Sequence, residues 1–350
     1  MEKENLYVMS DEEYKKLNSY LNEIFNFLSG KDGFLIENID TILWTNAQFL
    51  SFMSDYKLSN ETKTNNLTDE QVICIAREII ASINNDYLEE FDRLLVSEKL
   101  KFDCEGKSVS HSNPSDGSIN ISRKFNYHDV LSLVHEFMHT TNVSSKETKN
   151  RYSLTEFLSI YFEMYAIDYL LERGIPKEEI GVYERLSKTC LSSKLSFEIL
   201  PVFLAFIKFG DIHKNTFSDL NKNFLPIHRL DFVRKCKLLL LNCLNLEEDY
   251  RKQIAGKKQF GMQEFISGLR FHSDYRYVLG TILAFYARSY CKIEDIVFLN
   301  NHINDDDISS LDLLEVLKRI GIDITNSEFI GKALESIGSY IKQYSNEKNR

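Results

Sequence analysis

Hydrophobic residues recur at intervals of three and four along most of the chain, which is the spacing of one face of an α-helix. One such stripe runs from Tyr14 to Leu28, and another begins at Val72. Two more helices are predicted near the C-terminus, and the same periodicity predicts central helices over residues 127–143, 154–173, 197–210, 230–244 and 262–290. We therefore predict a mainly α fold.

A different pattern occupies residues 96–125. Short runs at Lys101–Cys104 and Ser118–Ser122 flank the turn-rich segment Ser112–Gly117. This pattern predicts a small β-sheet or hairpin just before the helix that begins near Tyr127. Residues 57–69 are rich in Asn, Thr and Ser and have no periodicity, so we expect a loop there.

Charge and composition limit the partners and the location that we expect. The chain has 42 basic and 52 acidic residues, a net charge of -10, which disfavours nucleic acid and anionic membranes as partners. The N-terminal residues 1–13 lack the basic start and apolar stretch of a secretory signal. The apolar runs at 200–207 and 238–241 are shorter than the ~20 residues that span a bilayer. These features predict a soluble, cytoplasmic protein with no membrane or nucleic-acid partner.

The motif His135-Glu136-x-x-His139 lies inside the predicted helix 127–143. Two histidines four residues apart project from one helix face and can reach the same metal ion, and Glu136 is placed to take a proton from a water molecule there. The surrounding helix is apolar on almost every side, so these groups are shielded and need a partner. The alternative is a chance occurrence of the pentapeptide on an ordinary helix. The six cysteines include no Cys-x-x-Cys pair, which disfavours a thiolate site or a disulfide framework.

A third metal ligand is expected from the next helix, which offers Glu156 and Glu163. Seven residues separate them, so they share a face but lie about 10 Å apart, and only one can bind the metal directly. Spacing alone does not choose between them. Either carboxylate is also compatible with an ordinary surface position.

These motifs, in this order, resemble the M3 family of zinc metallopeptidases, the thimet oligopeptidase and oligoendopeptidase F group. The resemblance runs from about Phe102 to near the C-terminus, through Ile119-Asn120-Ile121 and the His-Glu-x-x-His helix, and the closing stretch 311–334 also looks like the family. Thr155–Ser159 is similar to the Glu-x-x-Ser segment that supplies the family's third zinc ligand. The resemblance therefore implies a helical zincin-type fold in which one Zn²⁺ is bound by His135, His139 and Glu156, with Glu163 in a supporting role.

The segment Phe271–Gly280 adds to the resemblance, since the family places a His and several Tyr opposite the zinc. The resemblance implies that His272, Tyr275 and Tyr277 stabilise the developing oxyanion. The alternative is that this aromatic cluster packs in a core.

Three departures from the family pattern stand out. Met138 occupies a position that is usually Gly, and Asn142 one that is usually His. Neither is a direct zinc ligand, so we expect changes in packing and in substrate subsites. The region before the metal helix is also much shorter than in typical relatives, which predicts a more open cleft.

We therefore predict a zinc-dependent peptidase with Glu136 as general base, acting on peptides or extended chains. Residues 1–95 form an N-terminal helical region packed on the catalytic part, and residues 96–350 form the catalytic domain. The substrate backbone is expected to pair with the edge of the strand at Ile119–Ile121. The alternatives are a catalytically silent relative that binds peptides or a protein in the same cleft, and an all-helical interaction protein. No oligomeric state is predicted, because apolar helix stripes serve a core and a partner surface equally.

Overall fold

The computed structural model describes most of the chain. The described residues are 6, 8–31, 33–56, 58, 65–105, 109–113, 116–141, 151–223, 228–254, 265, 269, 271–303, 313–326 and 328–344. Within them the chain forms helices almost throughout and one three-stranded sheet, which precedes the helix with the two histidines. The predicted mainly α fold with a small sheet at this place is confirmed.

The chain divides into two compact units. The first unit comprises Met1–Ser54 with Thr189–Val278, and the second comprises Asp55–Lys188 with Leu279–Arg350. Two helices, α9 and α12, contain a point of division. The helices that begin in the first unit are α1 (Asp11–Lys31), α2 (Gly33–Glu37), α3 (Ile39–Met53), α10 (Thr216–Asn223), α11 (Arg229–Ile254) and α12 (Phe271–Tyr290).

The second unit contains the sheet and the His-Glu-x-x-His helix. The two units do not separate near residue 95. The predicted boundary there, between an N-terminal helical region and a catalytic domain, stays a prediction. The elements that begin in the second unit are α4 (Asp69–Ile83), α5 (Asn85–Val96), β1 (Leu100–Asp103), β2 (His111–Asn113), β3 (Ser118–Ser122), α6 (Tyr127–Thr141), α7 (Arg151–Glu172), α8 (Lys177–Ile180), α9 (Glu184–Phe209), α13 (Ile293–His302), α14 (Leu313–Arg319) and α15 (Glu328–Tyr344).

The periodic stripes of the sequence become buried helix faces. Leu17, Leu21, Ile24 and Leu28 of α1 are buried, as the three-and-four spacing predicts. Further along, α7 ends near Gly174, which has φ +79° and donates its N–H to Leu171. That left-handed conformation is readily available to glycine and explains why the helix stops where the sequence predicts.

Helix α9 is longer than the predicted helix 197–210, because it begins at Glu184 and continues through Pro201. Among the described helices, it alone is long and apolar enough to cross a membrane, and more than half of its most apolar window is buried. One such helix is weak evidence, since the core helix of a soluble protein meets the same criteria. The expected cytoplasmic location and lack of a membrane partner stay predictions.

The sheet has the strand order β1-β3-β2. Strand β1 pairs with β3 in parallel, and β2 pairs with β3 in antiparallel. A hairpin is therefore present, but its first strand is His111–Asn113, whereas the predicted run Lys101–Cys104 overlaps β1 and pairs with β3 in parallel. Both edges of β3 are therefore occupied, and its Ile119 and Ile121 are buried. The expectation that a substrate pairs with the edge of β3 is wrong, because only β1 and β2 have an edge that no described strand occupies.

A network of polar contacts fixes the start of α6. The side chain of Asn126 accepts from the backbone N–H of His128 at 3.0 Å. Asp129, which is fully buried, accepts from the N–H groups of Lys124 and Phe125 at 2.8 Å and from Arg123 at 2.7 Å. Phe125 has φ +59°, an unfavourable conformation for a residue with a side chain. The contacts of Asp129 hold the chain in that conformation and set the direction of α6.

Replacing Asp129 with alanine is expected to lower the free energy of unfolding by about 3–5 kcal/mol, because it leaves the buried Arg123 guanidinium and two backbone N–H groups without this acceptor. Chemical denaturation followed by circular dichroism measures the change. Asp92→Ala is the control, since it breaks an Arg77–Asp92 pair whose side chains are 49% and 40% exposed. We expect a much smaller change for the control, and equal losses in the two variants would contradict this account of α6.

Candidate metal centre

The two histidines of α6 point their Nε2 atoms at each other. The Nε2 atoms of His135 and His139 lie 3.1 Å apart, and the rings are nearly perpendicular. Val130, Leu133, Val134 and other apolar residues of α6 are buried around them, which leaves the histidines on the side that faces α7. Two nitrogen lone pairs at this distance repel unless a proton or a metal cation lies between them.

Glu156 of α7 completes the group. Its Oε2 lies 3.8 Å from His135 Nε2, and its Oε1 lies 3.8 Å from His139 Nε2. One ligand atom from each of the three residues lies within 4.8 Å of the others. The group His135, His139 and Glu156 can therefore hold a metal ion.

The donor set fits a tetrahedral ion with one open position. At usual zinc–ligand distances of about 2.0–2.2 Å, tetrahedral ligand atoms are ~3.3 Å apart. The two Nε2 atoms, 3.1 Å apart, are already near this value, whereas the two 3.8 Å distances involve different oxygens of Glu156 and one ligand atom per residue lies only within 4.8 Å of the others, so the Glu156 carboxylate would move closer to bind an ion through one oxygen. Two imidazoles and one carboxylate leave one coordination position for water or substrate.

Each histidine is held by its other ring nitrogen. His139 Nδ1 lies 3.1 Å from the hydroxyl oxygen of Ser159, which is buried on α7. His135 Nδ1 lies 3.1 Å from Glu163 Oε2. When Nδ1 carries the proton and donates to these oxygens, Nε2 keeps its lone pair for a metal. Glu156 thus faces the Nε2 atoms, whereas Glu163 contacts the other ring nitrogen of His135, Nδ1.

The surroundings set different pKa values for these groups. Burial and the neighbouring His135 lower the pKa of His139 to about 4, so this imidazole is neutral at neutral pH. Burial by itself lowers the pKa of His135, but the hydrogen bond to Glu163 and the negative charges of Glu163 and Glu136 together outweigh it, and the net shift is upward. Burial opposes ionisation of Glu163 too, yet Arg185 and His135 hold the pKa of that carboxyl well below its usual range. A proton therefore competes with a metal mainly at His135.

Glu136 lies next to His135 on α6 and is half-buried. Its negative charge raises the pKa of both histidines. A carboxylate beside the metal ligands is placed to hold or accept a proton at this site.

Gly280, in the part of α12 that belongs to the second unit, lies close to the candidate metal ligand on α7. A Cβ atom at Gly280 would lie 3.1 Å from the backbone nitrogen of Phe157, 3.2 Å from Cδ1 of Ile160 and 3.3 Å from the carbonyl carbon of Glu156. The absence of a side chain at this position thus permits the close approach that fixes the backbone of Glu156.

Gly280→Ala is therefore expected to lower the free energy of unfolding by about 1–3 kcal/mol, the usual result of overpacking, and to weaken metal binding at the candidate centre because Glu156 shifts. Denaturation and zinc competition titrations measure the two effects. The matched control is Gly331→Ala on α15, where an added Cβ meets no atom within 4 Å. A Gly280→Ala variant that behaves like the control would refute the proposed role of this approach.

The residues expected to stabilise an oxyanion lie at the start of α12. His272, Tyr275 and Tyr277 belong to the first unit, whereas the candidate metal ligands belong to the second. Tyr275 is buried and Tyr277 is half-buried; the side chain of His272 lies outside the described residues. Their catalytic assignment stays a prediction.

Of the two positions at which the residue type departs from the family pattern, the structure describes Met138. Met138 is fully buried, so its large side chain packs in the core of the second unit. Asn142 lies outside the described residues, as do Pro114 and Ser115 of the predicted turn and residues 311, 312 and 327 of the closing stretch 311–334.

Sequence reasoning missed Arg185 entirely. Its guanidinium bonds to Glu163 through Nε and Nη2, and Nη2 lies 3.4 Å from His135 Nδ1. Arg185 lies 50 residues after His135 in an unremarkable helix start, so no local motif marks it.

No family model matches the sequence, and no curated protein matches it. Among solved structures, the crystal structure of a candidate peptidase from Chlamydophila abortus is similar, with 14% sequence identity and a TM-score of 0.45. The similarity covers 97% of this chain and 56% of that chain, so this chain spans little more than half the length of that structure. At this identity and TM-score the likeness shows no shared activity, and functional conclusions rest on the site itself.

Proposed function

We propose that the protein is a zinc-dependent peptidase of the kind that the sequence resembles, the M3 metallopeptidases. One observation carries the proposal: His135, His139 and Glu156 present three converging ligand atoms, and Glu136 follows His135 on α6, the helix that carries both histidines. The convergence of the two histidines follows from their spacing on α6, but the approach of Glu156 from α7 does not, so it supports a functional site over a chance motif.

Zinc is the metal that this donor set favours. Two imidazole nitrogens and one carboxylate oxygen suit Zn²⁺, whereas Mg²⁺ and Ca²⁺ prefer sites made of oxygen ligands. A catalytic zinc site has three protein ligands and an open fourth position, which matches the number of ligands here. Ser159 and Glu163 supply the hydrogen-bond acceptors that orient ligand imidazoles in such sites.

Zinc held by His135, His139 and Glu156 would supply Lewis-acid chemistry, making a water molecule more acidic and polarising the substrate carbonyl. Glu136 takes the proton from the attacking water and then gives it to the nitrogen of the leaving amine, so that the scissile C–N bond breaks to a carboxylic acid and an amine. His135, His139 and Glu156 keep their ligand atoms convergent throughout. Tyr275, Tyr277 and His272 are the proposed donors to the oxyanion.

The proposed substrate is a peptide or an extended polypeptide chain. A peptide in that form binds by adding a strand to an exposed sheet edge, where the main chain supplies the hydrogen bonds. Because β3 is internal to the sheet, the edges that the described strands leave for such pairing are those of β1 and β2. Both belong to the same unit as the candidate metal ligands.

Incubation of the purified protein with a peptide library, followed by mass spectrometry of the new termini, tests the proposal. We expect cleavage that a zinc chelator abolishes and added zinc restores. Cleavage that is insensitive to the chelator would remove the metal from the mechanism. Bound zinc without cleavage would instead identify a silent relative that binds peptides.

A further inference from the structure

Arg185, in the first turn of α9, contacts Glu163, the carboxylate that supports the candidate ligand His135. Its Nε donates to Glu163 Oε1 at 3.1 Å, while its Nη2 bonds to Glu163 Oε2. The same Oε2 lies 3.1 Å from His135 Nδ1. The side chains of Arg185 and Glu163 are only 11% and 9% exposed, so water competes little for these contacts. The planar guanidinium fork therefore fixes both oxygens of the carboxylate that supports His135.

Arg185 is itself held in place through the residue before it. Glu184 accepts from His128 Nδ1 at 2.8 Å and from Lys124 at 2.7 Å. His128 belongs to α6 and Lys124 to the segment just before it, so the first turn of α9 is anchored to the same helix that carries both histidine ligands. The contacts of Glu184 with His128 and Lys124, together with the two bonds from Arg185 to Glu163, fix the distance from the α9 backbone to Glu163.

We propose that Arg185 is a positioning residue for the metal site. It acts through Glu163: the fork keeps Oε2 opposite His135 Nδ1, which holds the proton on Nδ1 and directs the Nε2 lone pair towards the metal. The inference rests on the proposed function, because it takes His135 as a zinc ligand. It adds a residue that neither the motif nor the resemblance contains.

Two effects of removing Arg185 oppose each other. Loss of a positive charge near the site favours cation binding, whereas loss of the fork lets the Glu163 carboxylate turn away from His135. The guanidinium charge is already balanced by the Glu163 carboxylate that it binds, so its net repulsion of a metal ion is small. Orientation should therefore dominate, and loss of a residue that orients a ligand typically weakens metal binding 10–100-fold.

Zinc affinity, measured by competition with a chromophoric chelator, tests the proposal independently of peptidase activity. Arg185→Met is expected to bind zinc about 10–100-fold more weakly than the wild type. Arg185→Lys keeps the charge but not the fork, so we expect partial rescue, with an affinity between those of the wild type and Arg185→Met. Circular dichroism checks that each variant is folded, and if Arg185→Met does not fold, Arg185→Lys carries the comparison.

Arg288→Met is the matched control. Arg288 forms the same two-pronged contact with Asp168 of α7, at 2.7 and 2.8 Å, and is partly buried. We expect its removal to lower stability without changing zinc affinity. An equal loss of affinity in Arg288→Met would reduce Arg185 to a structural residue, and unchanged or tighter zinc binding in the folded Arg185 variants would also overturn the proposal. A wild-type protein that binds no zinc would overturn the proposed function as well, so the two failures are distinguishable.

Discussion

Replacing Glu136 with glutamine is expected to slow peptide cleavage by about 10²–10⁴-fold, the usual contribution of a general base, while zinc stays bound. Glutamine keeps the size of the side chain but has no carboxylate to accept a proton. The three candidate ligand atoms belong to His135, His139 and Glu156, so the substitution leaves them in place. Cleavage of a quenched fluorescent peptide and metal analysis of the same sample measure the two properties.

Glu90→Gln is the control for this experiment. Glu90 is a partly buried carboxylate on α5, and burial raises its pKa, yet it has no assigned role in cleavage. We expect wild-type activity from the control. Full activity in Glu136→Gln would contradict the assignment of the general base, and loss of zinc from that variant would mean that Glu136 is needed for metal binding.

His139→Ala is expected to differ from Glu136→Gln in its metal content, because this variant loses zinc as well as activity. The substitution removes one of the three candidate ligand atoms and leaves only those of His135 and Glu156. Loss of a residue that merely supports a ligand weakens binding 10–100-fold, so loss of the ligand should exceed ~100-fold. Cleavage should become undetectable at low zinc concentrations.

Zinc competition titrations of the purified variant measure this effect. His213→Ala is the control, because His213 belongs to the first unit and its side chain is 51% exposed. The control should bind zinc as the wild type does. Retention of wild-type zinc affinity by His139→Ala would show that the group on α6 and α7 is not the metal site.

The local elements of the fold were predictable from the sequence. Spacing of apolar residues is a property of each helix alone, so α1, α6 and α7 appear where the pattern predicts them. The parallel pairing of Leu100–Asp103 with Ser118–Ser122 was not predictable, because it depends on how separate segments come together. The same reason explains the expected but incorrect free edge at Ile119–Ile121.

The candidate site shows the same limit. The four-residue spacing of His135 and His139 is a local property of α6 and predicts their shared face. Spacing left Glu156 and Glu163 as equal candidates, and the packing of α7 against α6 separates them: Glu156 faces the Nε2 atoms, and Glu163 faces Nδ1 of His135. Arg185 had no signal in the sequence, since its contact with Glu163 arises only when α9 packs beside α7.

The most direct test of the central claim is the rate of peptide cleavage as a function of bound zinc. Metal-free protein is prepared with a chelator, zinc is returned in steps below and above one equivalent, and cleavage of a quenched peptide is measured at each step. We predict a rate that rises in proportion to bound zinc and reaches its maximum at one ion per chain. A cleavage rate that is independent of bound zinc would contradict the account. So would a protein that has one zinc ion bound per chain and cleaves no peptide.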